Sequence, residues 1–295
     1  MNMSKKERYL FAIDLDGTVL SDSLNNEIHP RTIEGIKMAR EQGHIVSIVT
    51  GRPWVSTKEI YEKLELDTIV GNINGAHIHN PCDPFFIDYI RYVNLNEMLY
   101  IVGDEYLKKI TKNFAIEGPG WVQLQHRNPE LEQIFGFNKL PKFVEGIDLA
   151  RIPLKPISVI LDINFEEMKK DKNSHIKSAH DLKRYLDIMY GDLAEFNYWS
   201  KSGSSSKIFD ITALGVSKAK VISLLLRFYD IKVTNTVAIG DGFNDISMLK
   251  VVENSVAMAN ADPLVKKSAT FVSELTNKEG GVGDFIIKFL NNLEK

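Results

Sequence analysis

Residues 11–18 read Phe11-Ala12-Ile13-Asp14-Leu15-Asp16-Gly17-Thr18, an apolar run that ends in two aspartates and a glycine. A wholly apolar stretch from Tyr9 to Ile13 that stops at an acid is the pattern of a strand buried on both faces of a parallel sheet. Such a strand delivers Asp14 and Asp16 to its carboxyl end, where open α/β sheets bind ligands. Gly17 permits the tight turn that gathers the backbone and both carboxylates toward one point. Taken alone, the segment is also an ordinary strand-end turn, where Asp and Gly are common.

A second stretch far downstream repeats the design. Val237-Ala-Ile-Gly240-Asp241-Gly242-Phe243-Asn244-Asp245 is again an apolar strand running into an acidic turn broken by glycine. Two such strand ends lie side by side in a parallel sheet however far apart they are in sequence. Asp14, Asp16, Asp241 and Asp245 then share one crevice. Like charges that close raise one another's pKa unless a cation intervenes. Oxygen ligands without His or Cys select a hard ion, and phosphate chemistry favours Mg²⁺.

The rest of the chain falls into place around these two strands. Pro30 opens a helical pattern that Gly43 closes, Ile45–Val49 is a second apolar strand, Pro53 starts a second helix, and Thr68–Val70 begins a third strand. This rhythm with short connections implies a parallel sheet with helices on both faces. The texture changes near Pro81 and returns after Gly203-Ser-Ser-Ser206, before Lys207–Ile211, a helix over Ser217–Tyr229 and the strand Thr236–Ile239. The expected organisation is an α/β core with a Rossmann-like, mostly parallel sheet, built from residues 1–80 and 207–295. An α+β cap of residues 81–206 is inserted into it, and both units are of ordinary domain size. Phe85-Phe86 and Trp121 are expected in the cap core.

Two further features suit an anionic substrate. Thr50-Gly51-Arg52 follows a strand and precedes a helix, which sets a hydroxyl and backbone N–H groups where an anion is cradled; a helix cap is the competing reading. Lys218 stands just inside the helix that Ser217 caps, a place where a cation opposes the helix dipole. A phosphate contact accounts for it better than a solvated surface lysine.

Composition narrows the field. The 295 residues carry 36 basic and 39 acidic side chains, for a formal charge of −3, and 44% are apolar. That is the balance of a globular protein, and it gives no broad electrostatic reason to bind nucleic acid or an anionic membrane. Cys82 has no cysteine partner, which fits a reducing cytoplasm. No apolar run reaches membrane-spanning length, and Asp14 interrupts the N-terminal apolar stretch too early for a signal peptide. The seven histidines show no metal-ligand spacing, and His77-Ile-His79 is expected in an exposed hairpin. Tyr198-Trp199 and Lys201 read either as substrate-facing or as cap packing beside a solvated lysine.

The set Asp14-Leu-Asp16-Gly-Thr18, Thr50-Gly-Arg52, Lys218 and Gly240-Asp241-Gly-Phe-Asn244-Asp245 resembles the four motifs of the haloacid dehalogenase-like (HAD) superfamily. It is most similar to the Cof-type sugar-phosphatase branch with a type IIB cap. Asn74-Gly75, Ala257-Met258-Ala259-Asn260-Ala261 and Gly280-Gly281-Val282-Gly283 extend the resemblance in order. The resemblance implies Asp14 as nucleophile and Asp16 as acid/base. It assigns Mg²⁺ to Asp14, the Asp16 carbonyl and Asp241, and phosphate to Thr50, Gly51, Lys218 and Asn244, with Arg52 and Asp245 in support. The dehalogenases of this superfamily lack the acid that stands here at Asp16, so phosphoryl transfer to water is implied, on a small phosphorylated metabolite.

Two other functions fit less of the chain. A phosphomutase of the same superfamily needs a cap that grips a bisphosphate, yet Arg91, Arg127, Arg151 and Arg184 are scattered. A non-catalytic sugar-phosphate sensor or phospho-aspartate signalling protein does not need the acid at Asp16. The substrate itself is not legible, because the cap carries no motif, and neither is the oligomeric state.

Overall fold

A computed structural model describes residues 7–153, 155–170, 174–200 and 207–293. Five parallel strands form the core sheet, in the spatial order Phe271–Val272, Asn254–Ala257, Thr236–Gly240, Leu10–Ile13, Ile45–Ile48. Val70–Asn72 extends this sheet through a parallel bridge between Val49 and Gly71. The chain moves outward from Leu10–Ile13 in one direction first and in the other direction later. The strand order therefore reverses between Leu10–Ile13 and Thr236–Gly240, and a crevice opens at their carboxyl ends. Leu10, Phe11, Ala12 and Ile13 are all fully buried, as the unbroken apolar run requires of a central strand.

Helices cover both faces. Pro30–Glu41 begins with proline, whose missing N–H would be unpaired there anyway, and the His29 ring accepts from the Arg31 amide. Its buried residues Thr32, Gly35, Ile36 and Ala39 fall on one helical stripe, which packs on the C-terminal helix Gly281–Leu293. The two backbones meet at glycines. A Cβ on Gly35 would lie 2.6 Å from the Gly283 Cα, and one on Gly283 would collide with the Arg31 carbonyl.

A second sheet of six strands has its own cores. Its order is Lys142–Glu145, Trp121–Leu124, Thr111–Gly118, Ser158–Ile163, Lys207–Ala213, Ala194–Ser200. One face bears Ile116, Val159, Leu161, Phe196, Phe209 and Ile211, which pack under helices Leu95–Val102 and Ala179–Tyr190. The opposite face carries the cross-strand row Glu117, Ser158, Thr212 and Glu195, and helix Pro129–Phe135 packs on the same face over Ala115, Ile160 and Ile208.

At both edges of the second unit the strand pairing departs from the expected bounds of 81 and 206. Lys207–Ala213 pairs between Ser158–Ile163 and Ala194–Ser200, so it belongs to the second sheet and not to the core. At the other end, His77–His79 and Tyr89–Ile90 form antiparallel strands beside Val70–Asn72 and pack on the core through Ile78, Phe86 and Tyr89. Phe86 stacks edge-on against Phe228 and Phe85 is 91% exposed, so neither joins the cap core; Trp121 does. Pro81 marks only a hairpin loop, because turn residues say where a strand stops and not which sheet it joins. His79, expected in an exposed hairpin, is buried. Lys201 and Gly203–Ser206 lie outside the described residues, as does the Trp199 side chain. No helix among the described residues is long and apolar enough to cross a membrane.

The glycine contact gives a first prediction. Gly283→Ala should force the two helices apart and destabilise by about 1–3 kcal/mol, the usual range for an overpacked contact. An unchanged thermal midpoint would show that the helices have room to separate.

Candidate functional site

Asp14 continues the first strand by one residue, its amide donating to Ile239 O at 3.0 Å. The parallel register that pairs Ile13 with Ile239 thus seats Asp14 beside the Gly240–Asp241 turn. Asp14 is buried, and its Oδ1 accepts from Lys218 Nζ at 2.6 Å. The same ammonium, wholly buried, also donates to Asp245 Oδ1. Asp245 Oδ2 in turn accepts from the amides of Asp241 at 2.9 Å and Gly242 at 2.7 Å. Thr18 Oγ1 donates to Asp241 Oδ1 at 2.9 Å, and Asn260 Nδ2 donates to the Gly17 carbonyl at 2.8 Å. Gly17 has φ +78°, and any Cβ there would strike the Asp241 carboxylate.

Burial, then Asp245 and Asp16 nearby, raises Asp14 to about 7 against the pull of Lys218. Asp241 is raised well above its ordinary value by burial, Asp14 and Asp245. Burial pulls the Lys218 ammonium down, but Asp14 and Asp245 outweigh it and push the group up. One lysine is therefore too little charge for two buried carboxylates and a half-buried third. Asp14, Asp241 and Asp245 each place an oxygen within 4.8 Å of the others. Both Asp245 oxygens are already occupied by Lys218 and the two amides, which leaves Asp14 Oδ2 and the Asp241 carboxylate to face an ion. An oxygen-only donor set of this kind fits a hard divalent cation.

Asp16 is held apart from this cluster. Arg52, fully buried, grips it in a fork: Nε donates to Oδ2 at 2.8 Å and Nη2 to Oδ1 at 2.7 Å. The guanidinium also donates to Asn26 Oδ1 and to the Ser23 carbonyl, each at 2.7 Å. A bidentate, buried guanidinium–carboxylate pair fixes direction as well as charge. The sequence marks Arg52 as supporting; the geometry identifies Asp16 as what it supports.

Thr50 and Gly51 lie beside Arg52 but offer fewer donors than expected. The Thr50 amide is spent on Gly71 O at 2.8 Å, and the Arg52 amide on Thr50 Oγ1 at 3.1 Å. The short loop folds back on itself, so the Gly51 amide and the Thr50 hydroxyl hydrogen are what remain for an anion. Ile73 N donates to Arg52 O and Asn74 N to Thr50 O. To make those bonds Ile73 and Asn74 adopt left-handed φ of 49° and 54°, an unfavourable conformation for a β-branched residue.

That loop aims Asn74 at the second sheet. Asn244 Nδ2 donates to Asn74 Oδ1 at 3.0 Å, Asn74 Nδ2 donates to Asp210 Oδ2 at 2.9 Å, and Asn197 Nδ2 donates to Asp210 Oδ1 at 2.9 Å. Asn244, expected to contact the substrate phosphate, here donates its amide to Asn74. Asp210 was not singled out in the sequence; its signal was a lone acid inside the apolar strand Lys-Ile-Phe-Asp210-Ile-Thr-Ala. Nearby Glu117 is buried and pushed up to about 8, mainly by burial and further by Asp210, with Ser158 opposing. Of the cap arginines, Arg127 pairs with Glu132, Arg151 with Asp148, and Arg91 bonds Leu214 O. These three do not converge.

Comparison with known proteins agrees with this geometry. A family profile described as haloacid dehalogenase-like hydrolase matches residues 11–286. A Metamycoplasma hominis protein provisionally named a phosphatase is 56% identical over 283 residues, covering 96% of this chain and 97% of the relative. The 5-amino-6-(5-phospho-D-ribitylamino)uracil phosphatase YitU of Bacillus subtilis is 26% identical, covering 96% and 98%. Among solved structures, the HAD subclass IIB sugar phosphatase BT4131 superposes with a TM-score of 0.73 at 23% identity, over 95% of this chain and 98% of that one.

The raised carboxylates make stability depend on pH. With chelator present, folded Asp14 and Asp241 hold protons that the unfolded chain releases near pH 4. The native state then binds more protons than the unfolded one, so stability falls as pH rises from there through about 7. Glu117 acts in the same direction, away from the cation. Adding Mg²⁺ should raise the thermal midpoint more at pH 8 than at pH 5. An equal increment at both pH values, kept in Asp241→Asn, would remove the cation from this cluster.

Proposed function

The chain belongs to the haloacid dehalogenase-like hydrolases; on that premise we propose that it is a phosphatase of the Cof-type subclass IIB, and that it dephosphorylates small phosphorylated metabolites, sugar phosphates or similar phosphomonoesters, with Mg²⁺ and through an aspartyl-phosphate on Asp14. The observation that carries this reading is Lys218 shared between Asp14 and Asp245 beside Asp241, with Asp16 held separately by Arg52.

Asp14 attacks phosphorus in line with one carboxylate oxygen, the ester P–O bond breaks, and an acyl phosphate forms, splitting one hard displacement into two easier ones. Asp16 gives its proton to the leaving alkoxide. It then takes a proton from the water that attacks the acyl phosphate, so that inorganic phosphate leaves and Asp14 is restored. Both Asp16 oxygens accept from Arg52, so carrying the proton opens one of these bonds while the other keeps the carboxyl in place for both steps. An ammonium has three donors; Asp14 and Asp245 take two of Lys218's, and the third is left for a phosphoryl oxygen. The Gly51 amide, the Thr50 hydroxyl and Asn244 supply the remaining hydrogen bonds to the phosphoryl group, the electrostatic contribution expected to dominate. Mg²⁺, when bound by Asp14, Asp241 and the main-chain carbonyl of Asp16, offsets the repulsion between the nucleophile and the phosphate dianion.

The second sheet serves as a cap over the crevice and reads the leaving group. Its polar face is the part that suits a hydroxyl-rich metabolite, and the link through Asp210 and Asn74 ties the cap to the Ile73–Gly75 turn, whose Asn74 amide bonds the Thr50 carbonyl. The lone Cys82, unpaired in a disulfide, supports a cytoplasmic setting.

Two substitutions test the chemistry. Asp14→Asn should lower turnover by at least about a thousandfold with the circular dichroism unchanged. Asp16→Asn should cost about 10²–10⁴-fold on hexose phosphates and less on p-nitrophenyl phosphate, whose phenolate leaves without a proton. A panel that includes the ribitylaminouracil phosphate named for the B. subtilis relative ranks the substrates. Full activity in Asp14→Asn, or equal losses on both ester types in Asp16→Asn, would overturn the assigned roles.

A further inference from the structure

The strand His77–His79 sets two imidazoles on one side of the sheet, because residues i and i+2 of a strand point to the same face. Their rings stack with centroids 4.3 Å apart and planes 7° from parallel. The neighbouring strand pairs Ile90 with His77 and Tyr89 with Ile78, which brings Asp88 level with His79. The Asp88 carboxylate lies 3.0 Å from His77 Nε2. One donor atom from each of His77, His79 and Asp88 lies within 4.8 Å of the other two. We infer that these three residues form a second metal site, for a divalent ion of the Zn²⁺ type, separate from the catalytic carboxylates.

The hydrogen bonds around His79 are those of a metal ligand in waiting. Asn72 Nδ2 donates to the Arg52 carbonyl and to Thr57 Oγ1, both at 2.9 Å. The first of these contacts fixes the amide's orientation, since a carbonyl only accepts. Asn72 Oδ1 therefore faces His79 Nε2, 3.0 Å away, and accepts its hydrogen. Neutral His79 thus carries its proton on Nε2 and its lone pair on Nδ1. An imidazole that donates one N–H to a carbonyl oxygen and keeps the other nitrogen bare is the usual arrangement around a bound metal.

Donor type sets the choice of ion. Two imidazole nitrogens and one carboxylate favour Zn²⁺, Ni²⁺ or Cu²⁺ over Mg²⁺, the reverse of the all-oxygen cluster at Asp14 and Asp241. Three protein ligands leave a fourth tetrahedral position for water. Access is from solvent: the side chains of His77 and Asp88 are 17% and 47% exposed, with His79 buried beneath them. An ion seated there takes the place of the direct His77–Asp88 contact. Cys82, on the same hairpin, points elsewhere, its Sγ lying 3.8 Å from Tyr61 Oη and 3.9 Å from Leu66 O. It is the natural control.

Zn²⁺ titrated calorimetrically into the full-length protein, with excess Mg²⁺ present to fill the carboxylate cluster, tests the site. One Zn²⁺ per chain is expected, with affinity reduced at least about tenfold by His77→Ala and by Asp88→Asn and unchanged by Cys82→Ser. Substoichiometric Co²⁺ should broaden the His77 and His79 imidazole resonances first. Circular dichroism of the two surface variants separates loss of the site from loss of the fold. The inference is overturned by an absence of Zn²⁺ binding, by isotherms that His77→Ala and Asp88→Asn leave unaltered, or by binding that disappears only in Asp241→Asn.

Discussion

The ammonium of Lys218 is the charge around which the crevice is assembled. It is fully buried at the start of helix Lys218–Tyr229, where the helix dipole opposes it, and it bonds Asp14 and Asp245 together. Either carboxylate buried alone would face a large desolvation penalty, and so would the lysine. Each is tolerable only in the company of the others, so the strand ends that carry Asp14 and Asp241 and the helix that carries Lys218 are placed with respect to one another. The turn after Thr236–Gly240 closes on the same point, with Asp245 accepting the amides of Asp241 and Gly242.

Two acids two residues apart have been given different partners. Asp14 shares Lys218 and lies against Asp241 and Asp245, whereas Asp16 is gripped by Arg52 in a forked pair. The hairpin Leu20–Asp22 and Glu27–Ile28 follows directly, and Arg52 reaches into it through Ser23 and Asn26. Its backbone is meanwhile tied to Ile73 and, through Asn72, to Thr57. The left-handed pair Ile73 and Asn74 holds this knot together, an instance of backbone strain concentrated beside a functional crevice.

The six-stranded sheet is divided by its own pleat. Along Thr111–Gly118, Ser158–Ile163 and Lys207–Ala213 one side is apolar, and the other carries Glu117, Ser158, Asp210 and Thr212 beside the apolar Ala115, Ile160 and Ile208 that helix Pro129–Phe135 covers. Buried polar groups on a sheet face that looks toward a crevice define direction more than stability, because each requires a partner. Asp210 finds its partners in Asn74 and Asn197. A single hydrogen-bonded chain therefore runs from Asn244 in the core, through Asn74, into the second sheet.

The parallel core, its central strand and the meeting of Asp14 with Asp241 were legible in the sequence, because an apolar run ending in Asp-x-Asp-Gly encodes local structure and orientation together. Lys218 stood out for a local reason as well, being a cation where the helix dipole disfavours one. Tertiary structure alone decided that Arg52 faces Asp16, that Asp210 reaches Asn74, and that Lys207–Ala213 pairs in the second sheet. It also decided that His77 and His79 stack beside Asp88. Those outcomes depend on which strands become neighbours and in what register, and a strand's residues fix its own alternation but not the identity of its partner.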